Sequence, residues 1–275
     1  MPQNFKSEQE AATAMLIEVG KLLNNHTIDY AVIGGWIPYL FNSKPIPHPG
    51  TFDVDIVLNT ALSQEQVIKA LDKMVNDSGY RRAPKNAFQI YRELTVLGEP
   101  MIFHVDFLHR KYADDSDDLT RSWGRYQSIS TVGTDVIFTE KEARSERVSR
   151  LDSDGNTVSA NITFASEPGF LCSKGRSVGL GKRERDGFDI YLVITQSKDI
   201  NKLKERCEEL MSDGVFTASM IRLYEQFQEK QPAVEKAAKY LSTLSSEFSS
   251  MESAKIEISS KVIQFLCDIG IEHDL

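Results

Sequence analysis

Tyr30-Ala31-Val32-Ile33-Gly34-Gly35-Trp36, followed after a proline-studded segment by Thr51-Phe52-Asp53-Val54-Asp55-Ile56-Val57-Leu58, decides the reading of this chain. The first run is apolar and β-prone and ends in a glycine pair. The second, Val54 to Leu58, is strand-like, and period-two alternation points Asp53 and Asp55 to one face. Two carboxylates on one face near a glycine turn are what a magnesium–nucleotide site needs. Magnesium takes hard oxygen ligands, commonly one or two protein carboxylates plus substrate phosphates. Glycines let the backbone approach those phosphates closely.

Working outward, Ser7-Glu8-Gln9-Glu10 reads as a capping box opening a helix to about Leu23. Ala11, Met15, Leu16, Val19 and Leu22 supply its apolar face. A strand is expected over 28–33 and a short helix over 36–41. Asn42 to Thr51, with Pro45, Pro47 and Pro49, reads as a loop. Ser63-Gln64-Glu65-Gln66 opens a second capped helix to about Asp77. Ala87 to Leu94 and Met101 to Leu108 are further strands. The run Asp114-Asp115-Ser116-Asp117-Asp118 reads as a solvated loop or helix start. Residues 128–138 and 157–165 look strand-like, separated by a charged stretch with Arg144, Arg147 and Arg150. From Glu167 onward, helical spacing recurs near 168–183, 186–195, 199–212, 217–229, 232–248 and 254–269. The expected fold class is α/β (α+β): a sheet with flanking helices over 1–165, then a mainly helical domain over 166–275.

A chain of 275 residues accommodates two such domains. Its 41% hydrophobic and 26% charged content is ordinary for a globular protein. A net charge of −8 argues against coating nucleic acid through bulk charge, though not against a local basic groove. Met1 to Glu10 lacks an apolar signal segment, and no run approaches the roughly 20 apolar residues of a membrane span. Cys172, Cys207 and Cys267 are odd in number and far apart, so reduced, buried cysteines in a cytoplasmic protein are expected.

His104-Val105-Asp106-Phe107-Leu108 adds a third strand-borne aspartate. An isolated Asp-x-Asp is common. The upstream Gly-Gly and the downstream Asp106 make the combination specific, because exposed-strand aspartates are disfavoured by propensity. Asp53, Asp55 and Asp106 meeting at one sheet edge would hold two magnesium ions about 3.5–4 Å apart and clamp an in-line phosphoryl displacement. Asp106 would also help take the proton from an attacking hydroxyl. His104 reads as a satisfied structural histidine before a supporting role near the metals, and His48 in the proline segment as surface loop before one that approaches a substrate. There is no Gly-x-x-x-x-Gly-Lys-Ser/Thr motif. Arg81, Arg82, Lys85, Arg110, Lys111 and the cluster at 174–185 would form a basic rim, suited to a nucleic acid end.

Gly34-Gly35, Asp53-x-Asp55 and Asp106 resemble the three-carboxylate core of the DNA polymerase beta-type nucleotidyltransferase superfamily. The wording Thr51-x-Asp53-Val54-Asp55-Ile56 looks most like its AbiEii branch, the nucleotidyltransferase toxins of bacterial toxin–antitoxin and phage-defence systems. A second block, Lys174-Gly175-Arg176-Ser177 leading through Lys182-Arg183-Glu184-Arg185 to Asp186-Gly187-Phe188-Asp189-Ile190-Tyr191, is similar to that branch as well. The resemblance spans roughly residues 28–58, 101–108 and 168–192. Trp36, the long proline segment, Ser177 and Gly181 depart from the family pattern.

The resemblance implies a polymerase beta-like sheet and a magnesium-dependent enzyme that moves NMP from an NTP to an acceptor hydroxyl, releasing pyrophosphate. It implies catalytic roles for Asp53, Asp55, Asp106, Lys174 and Asp186. Gly34, Gly35, Trp36, Lys174 and Arg176 would contact the nucleotide. The implied acceptor is RNA, the tRNA 3′ end, and an antitoxin protein is an implied partner. Two other readings stand beside it: transfer to a small molecule such as an aminoglycoside-type antibiotic, and a catalytically silent nucleotide- or partner-binding module.

Overall fold

A computed structural model describes residues 4–41, 46–59, 61–110, 119–180 and 184–271. The chain divides into two compact units, one of Met1–Gly34, Gly50–Phe138 and Ala143–Ala165, the other of Gly35–Pro49, Thr139–Glu142 and Ser166–Leu275. It is a mixed α/β protein, with the sheet in the first unit and a helical second unit.

The first unit holds β1 (Asn4–Phe5), α1 (Glu8–Asn25), β2 (Tyr30–Ile33), β3 (Val54–Leu58), α3 (Gln64–Asp77), β4 (Arg81–Arg82), β5 (Gln89–Val96), β6 (Glu99–Arg110), β7 (Thr120–Trp123), β8 (Tyr126–Thr131), β9 (Ala143–Leu151) and β10 (Thr157–Ala165). The sheet runs β1-β5-β6-β3-β2-β10-β9, with β4 added to β5 and β8 bridging β6 and β7. β2 and β3 are antiparallel, β3 and β6 parallel. β2 is buried along its whole length, as expected for a central strand of Tyr, Ala, Val and Ile. In β3 every residue is buried except Asp55, which is half-buried. β6 alternates, burying Phe103, Val105, Phe107 and His109 and leaving His104, Asp106 and Leu108 half-exposed.

The flanking helices form where their caps say they should. Ser7 Oγ accepts from the Glu10 backbone N–H at 3.1 Å, and Ser63 Oγ from that of Gln66 at 3.2 Å. α3 buries Val67, Ala70, Leu71 and Met74, an i, i+3, i+4, i+7 stripe. Val67, Leu71 and Met74 each contribute about 1.5–3 kcal/mol on burial. α1 packs on β10, where Gly20 lies against Ile162.

Three expectations change. The strand expected over 128–138 stops at Thr131; Gly133 turns the chain at φ +85° and Asp135–Thr139 forms the short helix α4. The charged stretch around Arg144, Arg147 and Arg150 is not a connector but β9, paired with β10 over nine residues. Its charges mask the pattern because an edge strand tolerates them. Cys172 and Cys207 are buried, but Cys267 is exposed. The acidic run Asp114–Asp118 and the basic Lys111 lie outside the described residues.

β5 and β6 are joined by Leu97-Gly98, both at positive φ (52° and 89°), with Val96 opposite Glu99. Such a two-residue turn favours Asn-Gly, and a leucine here is strained. Leu97 is also 75% exposed. Leu97→Asn is therefore expected to stabilise the protein by about 0.5–1 kcal/mol in urea unfolding; an unchanged or lowered midpoint would contradict this.

The second unit comprises α2 (Trp36–Phe41), α5 (Glu167–Ser177), α6 (Asp186–Gln196), α7 (Ile200–Leu210), α8 (Gly214–Gln226), α9 (Pro232–Leu244) and α10 (Met251–Asp268). α6 is apolar nearly all round, burying Phe188, Ile190, Leu192, Val193 and Ile194, and it contacts α2, α5, α7, α9 and α10. That is the signature of a core helix. α5 and α8 cross at Gly175, where an added Cβ would lie 2.6 Å from the Ser219 carbonyl oxygen.

Candidate active site

The register of the first unit's sheet brings two of the aspartates together. Asp55 on β3 is the direct partner of Asp106 on parallel β6, and in-register residues of adjacent parallel strands share a face. Gln89, opposite Asp106 on β5, donates from Nε2 to Asp106 Oδ1 at 2.7 Å. This bond fixes the carboxylate rotamer.

Gly34 ends β2 with φ +78°, and a Cβ there would lie 2.6 Å from Asp55 Oδ2. The first glycine of the pair is thus required twice, for its backbone conformation and for the space that the carboxylate occupies. Asp53 stands one residue before β3 with its side chain exposed. Among the described residues, no group of three or more His, Cys, Asp or Glu side chains forms that could hold a metal ion. Of the three aspartates expected to meet, Asp55 and Asp106 are brought into register, while Asp53 stands outside β3 and the described residues form no three-carboxylate group.

His104 shares its strand with Asp106 and has a buried Nδ1 with no hydrogen-bond partner among the described residues. It is not the satisfied structural histidine that the sequence suggested. His109 is one: Nδ1 lies 2.9 Å from Ser128 Oγ, which also accepts from Trp123 Nε1 at 2.8 Å. Arg81, Arg82 and Lys85 are exposed on and beside β4.

In the second unit Lys174 and Asp186 meet. Lys174 Nζ lies 2.5 Å from Asp186 Oδ1, with side chains only 10% and 8% exposed. Ser177 Oγ donates to Asp186 Oδ2 at 3.1 Å. Asp186 does not cap α6: its carboxylate is turned to α5 instead, and no side chain caps the helix. Arg176 is exposed. Gly35 precedes α2, its carbonyl accepting from the Tyr39 N–H at 3.2 Å. Trp36 is fully buried and packs edge-on to Tyr39, so its indole does not face a nucleotide.

Beside this pair lies a group that the sequence reading passed over. His48 Nε2 is 3.2 Å from Asp189 Oδ1, and the side chains are 3% and 1% exposed. Arg185 Nε approaches the same oxygen at 3.2 Å, and Tyr39 stands edge-on to the His48 ring. His48 is therefore a buried partner rather than surface loop; the i, i+3 spacing of Asp186 and Asp189 was the available signal. Burial opposes ionisation of Asp189, but the His48 hydrogen bond and the Lys174 and Arg185 charges outweigh it and hold its pKa below the ordinary carboxylate value.

A depressed folded-state pKa contributes stability that is present above the unfolded value of 3.8 and lost as pH falls through the folded one. Asp189→Asn should accordingly flatten the acid limb below about pH 4 in unfolding experiments across pH. An acid limb identical to wild type would show that Asp189 is not responsible for it.

No family model matches the sequence, and no curated protein matches it. Among solved structures, the chain is similar to one described as an antigenic nucleotidyltransferase-like protein from Paracoccidioides brasiliensis, at 15% identity and a TM-score of 0.43 over 78% of this chain and 94% of that one.

Proposed function

We propose that the protein is a metal-dependent nucleotidyltransferase, moving a nucleoside monophosphate from an NTP to an acceptor hydroxyl with release of pyrophosphate. The observation that carries this reading is the in-register Asp55–Asp106 pair with Gly34 pressed against Asp55. Two carboxylates brought side by side on one sheet face are the hard-oxygen ligands that a divalent cation takes. An all-oxygen donor set of this size fits magnesium, whose remaining positions go to water and substrate phosphates.

Asp55 and Asp106 would hold the ion, and Asp53, exposed at the start of β3, would join once a nucleotide binds. Bound magnesium supplies charge neutralisation at the triphosphate. Gln89 keeps Asp106 oriented to take the proton as the acceptor oxygen bonds to the α-phosphorus and the bond to the bridging oxygen breaks. On the sequence resemblance alone, Lys174 and Arg176 would contact the nucleotide and Asp186 would act as a further functional acid; Lys174 has three donors, of which Asp186 uses one.

RNA, specifically a tRNA 3′ end, is the acceptor favoured here. The exposed arginines of β4 support a polyanionic acceptor. The toxin or defence role, with an antitoxin partner, rests on the sequence resemblance alone.

Incubation with each α-labelled NTP, magnesium and total tRNA should label the RNA, and EDTA should abolish labelling. Label transfer to an antibiotic panel but not to RNA would move the acceptor to small molecules. Absence of transfer to any acceptor, together with no magnesium-dependent NTP binding, would refute the reading.

A further inference from the structure

Within the second unit, α9 presents Lys236, Lys239, Tyr240 and Thr243 along one face to an open cavity of about 370 Å³, which Glu184 and Pro49 also line. The spacing is i, i+3, i+4, i+7, so these side chains form a single stripe. The opposite stripe, Ala237, Ala238 and Leu241, is buried and accounts for the packing of the helix. The polar stripe is therefore not needed to hold α9 in place.

Tyr240 is half-buried and near-parallel to Phe188, with ring centroids 5.5 Å apart at 19°. Phe188 in turn stacks with Tyr191 at 6.4 Å and 24°. Phe188 is fully buried, so Tyr240 is the ring of this group that borders the cavity. A flat wall is thereby fixed in orientation before any ligand arrives. Two ammonium groups and one carboxylate leave the lining cationic. Among the described residues Lys239 is exposed and has no acidic partner for its ammonium group. A volume of this size suits a small ligand.

We propose that this cavity is a nucleotide-binding subsite, in which one base stacks on Tyr240 while Lys239 holds the adjoining phosphate. A base offers a π-face of the kind that an aromatic wall accepts regardless of sequence, and its phosphate supplies the anion. Glu184 accepts a hydrogen bond from an exocyclic amine or a ribose hydroxyl. The ligand is a nucleotide, either free or as one unit of a single-stranded RNA. Its identification with the acceptor strand rests on the transferase reading above.

The test is fluorescence anisotropy with a labelled short oligoadenylate in EDTA, with AMP as competitor. Tyr240→Ala should weaken binding about ten-fold, and Tyr240→Phe should restore it. Lys239→Gln should weaken it and lower the slope of log affinity against log salt by about 0.7. Displacement by AMP assigns the subsite to a free nucleotide; resistance to AMP assigns it to a strand.

Wild-type affinity in both Lys239→Gln and a folded Tyr240→Ala overturns the proposal, as does failure of the labelled oligoadenylate to bind. Should Tyr240→Ala not fold, Lys239→Gln, at an exposed helical position, decides alone. A protein that binds the oligonucleotide through Tyr240 yet transfers no label would refute only the transferase reading. Transfer with binding indifferent to Tyr240 and Lys239 would refute only the subsite.

Discussion

Asp55→Asn is expected to cut nucleotidyl transfer by about 100-fold or more while leaving the protein folded. Asparagine keeps the shape of the side chain but removes the charge and one acceptor oxygen. Asp55 faces Asp106 in register, so the substitution also relieves like-charge repulsion. Unfolding free energy should stay within about 1 kcal/mol of wild type or rise. A catalytic carboxylate thus separates from a structural one: the former loses activity without stability, the latter the reverse.

Gly34→Ala gives the complementary result. Its Cβ would meet Asp55 Oδ2 at 2.6 Å on a backbone at φ +78°, so it should cost about 1–3 kcal/mol as well as activity. Full transfer in Asp55→Asn, measured with labelled NTP and tRNA, would remove Asp55 from the chemistry.

Lys174→Ala is expected to destabilise the protein by about 3–5 kcal/mol. The pair it breaks is buried, with the ammonium 2.5 Å from Asp186 Oδ1. Truncation leaves the Asp186 carboxylate with the Ser177 hydroxyl and little solvent. Lys174 also lies 5.9 Å from the Phe170 ring, so its stem and charge both pack. Replacing both partners, Lys174→Met with Asp186→Leu, should recover most of the loss, because the penalty belongs to the orphaned charge. Urea midpoints of the two single variants and the double variant decide this. A double variant no more stable than Lys174→Ala would show that the pair contributes through something other than mutual neutralisation.

Both strands of the glycine–aspartate pairing were legible in the sequence. β2 and β3 fall where alternation and the glycine pair place them, and the capped α1 and α3 begin at their serines. The six helical segments after Glu167 are present, several with shifted ends, because buried stripes declare themselves while termini depend on single caps. What remained hidden has a common cause. The Gln89–Asp106 contact and the His48–Asp189 pair join residues 17 and 141 positions apart, and no local pattern encodes such meetings. β9 was missed because its apolar alternation is interrupted by arginines, and β7 because Thr120–Trp123 is too short to show a period.

Those arginines have a further consequence for how the molecule behaves in a crowd. β9 is the last strand on its side of the described sheet, and an edge strand offers unpaired backbone groups to any extended chain that arrives. Arg144, Glu146, Arg147 and Arg150 are spread along it, with Arg147 reaching back to Ser159 Oγ at 3.0 Å. An incoming strand would have to desolvate those charges before gaining a single ladder bond. The stretch that disguised itself as a connector thus resists the edge-to-edge pairing by which sheets aggregate.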